Sequence, residues 1–244
     1  MIPLYRSDPY LASALTVIDR ILPLDDGVAL FCREALFMEG GGQPMDHGVI
    51  KIEGVDFPLL RIMKEKGNTG YVISSDAKVQ KGMEVECILD FERRYKTMRL
   101  HSGQHALAGA LRIIRKDILT GGMKISDSTT TCSVLYPHHS SLQETELNEA
   151  LLLVETFIKE DRKISSQTVK SESEAIELYQ DVYRPTVASG SLKGSVRLIV
   201  IDGIDANACG GTHVKSLSEV RAVHIDALNE VPDGREVIFS VANL

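Results

Sequence analysis

The chain has 244 residues, 43% apolar and 25% charged, the balance of an ordinary globular protein with room for two modest domains. No apolar run approaches the roughly 18 residues that span a bilayer. The opening MIPLYRSDPY lacks the basic start and apolar core of a secretion leader, so a cytoplasmic location is expected. With 27 basic against 34 acidic residues the net charge is −7, which excludes a protein that holds nucleic acid by bulk attraction alone; an RNA partner would need a local basic patch.

The first ~90 residues read as short strands: Thr16–Leu22, Val28–Cys32, Val49–Glu53, Asp56–Met63, Tyr71–Ser74 and Val85–Asp90. Turn-formers separate them, among them Asp25-Asp26-Gly27, the Gly40–Gly42 run, Gly54, Gly67-Asn68 and Gly82. Many short strands at close spacing suggest a small β-barrel, with no helix before residue 91. From Phe91 to about Lys116 the period becomes helical, with Leu107, Leu111 and Ile114 on one stripe and Gly121-Gly122 as its end. A strand follows at about Thr129–Tyr136. Ser141-Leu142-Gln143-Glu144 has the form of a capping box opening a helix through Leu147, Leu151, Val154 and Ile158, and Ser171-Glu172-Ser173-Glu174 opens a shorter one. Strands return at Val196–Ile201, Val220–Ala227 and Glu236–Ala242. The expected class is therefore α+β, an all-β domain over residues 1–90 preceding an α/β domain over 91–244.

Cys32, Cys87, Cys132 and Cys209 have no paired spacing and read as reduced thiols. His101-Ser102-Gly103-Gln104-His105 falls in the long helical stretch, where residues four apart share a face, so both imidazoles can reach one ion. Cys209-Gly210-Gly211-Thr212-His213 follows a predicted strand, and its glycines allow a tight turn that gathers thiolate and imidazole. His101, His105, Cys209 and His213 form a nitrogen and sulfur donor set that suits zinc. Three of the seven histidines fall in these two pairs. On the residues alone, a shared ion and two unrelated pairs of satisfied histidines both stand. A zinc protease is excluded, because no glutamate lies between the helical histidines to act as base. His138-His139 and His224 have no partner at ligand spacing and read as structural or surface residues.

HSGQH and CGGTHV, some hundred residues apart, together with Glu39-Gly40-Gly41-Gly42-Gln43-Pro44-Met45-Asp46-His47-Gly48 upstream, resemble the editing domain of alanyl-tRNA synthetase and its free-standing relatives, the AlaX proteins. The three motifs stand in the family's order from about residue 37 to 220. The resemblance implies a small N-terminal β-barrel joined to a two-layer α/β editing domain that holds one zinc ion. It implies hydrolysis in trans of tRNA for alanine wrongly charged with serine, or with glycine. A synthetase catalytic domain is not expected in a chain of this length, nor the further C-terminal domain of the longer family members.

An apolar pocket built for alanine discriminates poorly against serine, whereas an editing site can hydrogen-bond the serine hydroxyl and leave alanine's binding unrewarded. The family uses a threonine for this. In Ser128-Thr129-Thr130-Thr131, Thr129 and Thr131 would share one strand face and Thr130 the other, and Thr129 and Thr131 are the candidates for substrate binding. The resemblance places the glycine motif beside the editing site, so Gln43, Gly41 and Gly42 are candidates too; read alone, the glycines are a hairpin turn. A zinc-bound water on His101, His105, Cys209 and His213 is the implied nucleophile. Four protein ligands are the mark of a closed structural site, so one ligand is expected to be weakly held or the ion to become five-coordinate. Arg93, Arg94, Lys96 and Arg99, with Lys215, are the basic residues expected to grip tRNA phosphates; a solvated helix face is the alternative. Two further readings remain, a zinc-stapled tRNA-binding module without catalysis and a metal-dependent hydrolase of a small ester or amide.

Overall fold

The computed structural model describes residues 2–135, 142–184, 194–232 and 234–242. The chain divides into two compact units, Met1–Gly40 with Pro44–Tyr95, and Gly41–Gln43 with Lys96–Leu244.

The first unit opens with a single helical turn, α1 (Leu4–Ser7), which carries no sequence signal, and continues as β1 (Ser13–Val17), β2 (Arg20–Leu24), β3 (Gly27–Phe31), β4 (Gly48–Ile52), β5 (Val55–Pro58), β6 (Arg61–Glu65), β7 (Asn68–Ile73) and β8 (Glu84–Leu89). They form two antiparallel sheets of four, ordered β1-β8-β4-β5 and β2-β3-β7-β6. The expected closed barrel is therefore not what forms. Its failure has a location. The two longest predicted strands, Thr16–Leu22 and Asp56–Met63, are each broken in the middle, at Ile18-Asp19 and Leu59-Leu60, where the chain leaves one sheet and enters the other. At the first corner the Ile18 amide donates to Met83 of one sheet's flank and the Asp19 amide to Phe31 of the other sheet. A strand that changes partners at a corner ends one ladder instead of closing it. Between the sheets lies an apolar core that includes Ile18, Leu30, Leu36, Ile50, Tyr71, Ile73, Val85 and Cys87.

α2 (Phe91–Ile114) is the longest helix among the described residues. The Asp90 carboxylate caps it by accepting from the Arg93 amide, 3.1 Å. In the second unit follow β9 (Leu119–Ile125), β10 (Thr129–Leu135), α3 (Glu144–Lys159), β11 (Ile164–Val169), α4 (Glu172–Leu178), β12 (Tyr183–Arg184), β13 (Val196–Ile201), β14 (Asp205–Ala208), a 3-10 turn at Leu217–Val220, β15 (Val223–Val231) and β16 (Gly234–Val241). Their sheets run β15-β16-β10-β9 and β11-β13-β14-β12, antiparallel apart from the short β12–β14 pairing.

α2 ends before Gly121-Gly122, which lie inside β9. The capping box expected at Ser141 falls outside the described residues; α3 starts at Glu144, and the Glu146 carboxylate accepts from the Gln143 amide at 2.8 Å. Ser171 caps α4 as expected, accepting from the Glu174 amide. Of the strand expected from Val220, Val220 itself closes the 3-10 turn and β15 begins only at Val223.

α2 touches both sheets of its unit. Gly103 faces Phe239 and Val241 on β16, while Gly109 faces Ile204 and Asp205 at β14. No helix among the described residues is long and apolar enough to cross a membrane.

Candidate metal centre

His101 and His105 stand one helical turn apart on α2, buried, and both point out of the helix in one direction. Cys209 and His213 come from the loop after β14. The nitrogen and sulfur donor atoms of these four residues all lie within 4.8 Å of one another. Cys209 Sγ is 3.5 Å from His101 Nε2 and 3.3 Å from His213 Nε2.

The opposite nitrogen of each imidazole is occupied. His105 Nδ1 lies 2.8 Å from the Asp205 carboxylate, a pure acceptor, so Nδ1 carries a proton and Nε2 is the nitrogen turned to the centre. Gln43 settles His101 in the same way. Its Oε1 accepts from the Thr212 amide at 2.9 Å, which identifies that atom as oxygen; His101 Nδ1, 3.0 Å from the same oxygen, must then be the donor. Gln43 Nε2 donates to Thr212 Oγ1 at 2.9 Å, so the whole carboxamide is used. His213 Nδ1 lies 3.2 Å from Ser102 Oγ, which also accepts from the Val214 amide at 3.2 Å. Three imidazoles thus present Nε2 to one point, each steered by a neighbour, as ligating histidines are.

The loop geometry depends on glycine in two places. A Cβ on Gly211 would stand 2.3 Å from His101 Cε1 and 2.6 Å from Gln43 Oε1, so only glycine lets the loop close on the histidine. Gly42, at φ +85°, is pressed against β9, where a Cβ would meet the Met123 carbonyl oxygen at 1.8 Å; its own carbonyl accepts from Ile125 at 2.8 Å. Arg197 of β13 ties the other side of the loop, its Nη1 donating to the Cys209 and Gly211 carbonyls at 2.6 and 3.1 Å.

Burial raises the Cys209 thiol, but the charges of His101 and His213 outweigh it and hold the group well below the usual thiol range. Burial and the charge of His101 push His213 well below the usual imidazole value. For His105 burial lowers the value, yet hydrogen bonds to Asp205 and Cys209 prevail and raise it to about 9. A thiolate among imidazoles, the histidines buried and the cysteine half-buried, is a donor set that a divalent cation would satisfy: three nitrogens, one sulfur, no hard oxygen ligand. The residues present fit a metal ion.

Several candidates sit elsewhere than expected. Gln43 is buried and spent on His101 and Thr212, which makes it a support for a ligand. Gly42 docks the loop onto β9, and Gly41, at φ +60°, faces open space. Thr129 bonds Ser126, 2.8 Å between hydroxyls, and shares its strand face with Thr131. Thr130 turns the other way: it is fully buried, and its hydroxyl has no partner among the described residues. Thr130 shares that inner face with Cys132, which receives a 3.4 Å hydrogen bond from Gln104 Nε2, on the turn of α2 between His101 and His105. Its neighbour across the ladder is Ile125, the residue bonded to Gly42.

The basic cluster divides. Arg94 is buried in an ion pair with Asp46 and donates to the Pro9 carbonyl at 3.1 Å. Arg99 is buried against the carbonyls of Glu219, Val220 and Ala242. Neither can reach a phosphate; the expectation is corrected for both, because each arginine is sealed among protein acceptors. Arg93 is half-buried, donating to the Met45 carbonyl at 2.8 Å, Lys96 is half-buried, and Lys215 is exposed. His224 is exposed, and His138-His139 lie outside the described residues. None of the four cysteines is in a disulfide.

Sequence reasoning missed Ser102, Asp205 and Thr212. A signal for Asp205 was present: 205, 207 and 209 alternate along one strand, so a residue two or four before a ligand faces the same way.

Residues 196–235 match the family model described as the threonyl and alanyl tRNA synthetase second additional domain. The alanyl-tRNA editing protein AlaX-M of Methanosarcina acetivorans is 28% identical over 98% of this chain and 98% of its own length. Aarsd1 of Danio rerio, also an alanyl-tRNA editing protein, is 33% identical over 78% of this chain and 43% of its own. The alanine–tRNA ligase of Pyrococcus abyssi is 30% identical over 97% of this chain; the chain spans 25% of that ligase. The likeness to AlaX-type editing proteins, first seen in three motifs, extends along the whole chain.

Proposed function

We propose that this chain, similar from end to end to an AlaX-type alanyl-tRNA editing protein, is a hydrolase that removes serine, and glycine, from wrongly charged tRNA for alanine. The observation that carries the reading is the convergence of His101, His105, Cys209 and His213 on one point, each histidine steered by a separate buried partner. The metal is zinc, one per chain, which suits three imidazoles and a thiolate. When bound, such an ion supplies a Lewis acid for the ester between amino acid and ribose and activates water at neutral pH.

The chain's own residues do the rest. Gln43, Asp205 and Ser102 hold the imidazoles in the tautomer that points Nε2 at the centre. Thr130, in place of Thr129 or Thr131, reads the serine hydroxyl: its buried and unpartnered Oγ1 gains a partner from serine and none from alanine. A site built to hydrogen-bond a hydroxyl rejects the analogue lacking it by as much as ~10⁴-fold. Lys96 and Lys215, with the exposed part of Arg93, are the basic groups offered to phosphate. The substrate exists where translation proceeds, so the reading carries a cytoplasmic location with it.

Four protein ligands also match a closed structural zinc site, which favours a stapled tRNA-binding module as the second reading. One experiment separates them. The protein is incubated with tRNA for alanine charged with serine, glycine or alanine, and with seryl-tRNA for serine. Release of serine from the alanine tRNA, sparing of its alanyl form, and loss of release in Cys209→Ala or His105→Ala are expected. Binding without turnover gives the stapled module; cleavage of free amino-acid esters with indifference to tRNA gives a small-ester hydrolase.

A further inference from the structure

β14 carries a polar residue that the proposed reaction has not used. Asp205, Asn207 and Cys209 alternate along this strand and its exit, and the face they share is defined on both sides. Ala206 and Ala208 point the other way, into an apolar cluster with Leu198 and Val200. Asn207 pairs in register with Ile199, and Asp205 with Ile201, both outside that cluster. Asp205 reaches His105, and Cys209 reaches His101 and His213. Asn207 therefore stands between a residue that steers a ligand and a residue that is one, with Cα atoms roughly 6.6 Å from either at strand spacing. It is 8% exposed, and its carboxamide oxygen has no hydrogen-bond partner among the described residues. A buried amide left without a partner is destabilising, so such a group is retained where something else completes it.

We propose that Asn207 is the binding residue for the free α-amino group of the aminoacyl ester. This rests on the editing reading and adds a substrate class to it: esters of amino acids with an unblocked amine are accepted, and N-acylated or peptidyl esters are refused. The α-carbon of the substrate bears three groups that the site must sort. The carbonyl belongs at the centre formed by the four donors. The side chain meets Thr130, on the sheet that reaches Gln104 of α2 through Cys132. The amine remains, and the wall left for it is β14, on the sheet that reaches His105 through Asp205. A carboxamide oxygen accepts from an amine or an ammonium in either protonation state, and its lack of net charge avoids competing with the thiolate for the cation. An acylated nitrogen offers one donor instead of two or three and adds bulk against a strand face where Asn207 is already nine-tenths enclosed.

The test uses a probe that cannot be hydrolysed, serine joined by an amide to 3′-amino-3′-deoxyadenosine, with and without N-acetylation, titrated calorimetrically into the metal-loaded full chain. The wild type is expected to bind the free-amine form ~10- to 100-fold more tightly, the range of one hydrogen bond to a charged group. Asn207→Ala should erase that preference while keeping its metal content and melting temperature, and Asn207→Asp should keep the preference. Equal binding of the two probes by the wild type overturns the proposal, and needs no variant to fold. Persistence of the preference in Asn207→Ala overturns it as well. A wild type that prefers the free amine yet releases nothing from charged tRNA supports the amine site and sinks the editing reading.

Discussion

The two units solve the problem of an interior in opposite ways. In the first, two sheets close on an apolar core, and the large buried charge among its described residues, Arg94, is matched by Asp46 in a bidentate pair. In the second, the middle of the unit is polar: His101, Ser102, His105, Asp205, Thr212 and His213 are all buried around the end of a loop. An apolar core repays its burial by itself. A polar one is stable only when its donors and acceptors are satisfied, and here the donor atoms of three imidazoles and a cysteine crowd onto one another around a single point. The contrast shows which interior is complete as a fold and which carries a donor set that could hold a cation.

The largest expected effect breaks the second interior alone. Removing metal with a chelator, or Cys209→Ala, should abolish release of serine from charged tRNA. It should also strip the stabilisation that a bound ion contributes, ~4 kcal/mol when the free metal is a thousand times its dissociation constant; metal analysis with thermal melts checks both. Next, Arg94→Met should strike the first interior, costing about 3–5 kcal/mol because Asp46 is left buried and unpaired. Urea unfolding measures it, and Arg94→Met with Asp46→Leu should recover most of the loss. Gln43→Ala frees His101 to rotate and should lower metal affinity or activity ~10- to 100-fold with little loss of fold, as for other residues that orient a ligand. Thr130→Val should reduce serine release ~10-fold or more relative to alanine release, since it deletes the one hydroxyl that distinguishes the two substrates; the rate ratio on the two charged tRNAs reads it. The smallest change is expected from Lys215→Ala, a rise of a few fold in KM and a reduction of about one in the salt slope of tRNA binding.

The metal centre was the more legible of the two functional layers. H-x-x-x-H on a helix and C-G-G-T-H after a strand each specify their geometry within five residues, so the four candidate donors are legible in the sequence. Thr130 could not be chosen over Thr129 and Thr131. Strand alternation says only that they differ, and which face is inner depends on β9, β16 and α2 packing around them. The basic run ahead of His101 misled for a related reason. Arg94 and Arg99 look like Lys96 in sequence, but their partners lie 48 and up to 143 residues away.

While β9, β11, β12 and β14 were not among the expected strands, the amino-acid sequence by itself determined the helical span of α2, β3, β4, β7 and β8 of the first unit and β10, β13 and β16 of the second to within a few residues, the Ser171 cap and the four candidate donors. Each of these is set by periodicity, turn chemistry or a spacing that operates over a few neighbouring residues. Tertiary structure decided where strands break to turn a corner at Ile18-Asp19 and Leu59-Leu60, which arginines are buried, what Gln43 holds, and which polar atoms, on Thr130 and Asn207, are left without a partner. These are outcomes of burial and hydrogen-bond completion between distant segments. No local pattern encodes them, because a side chain's free energy in the fold depends on what the rest of the chain places against it.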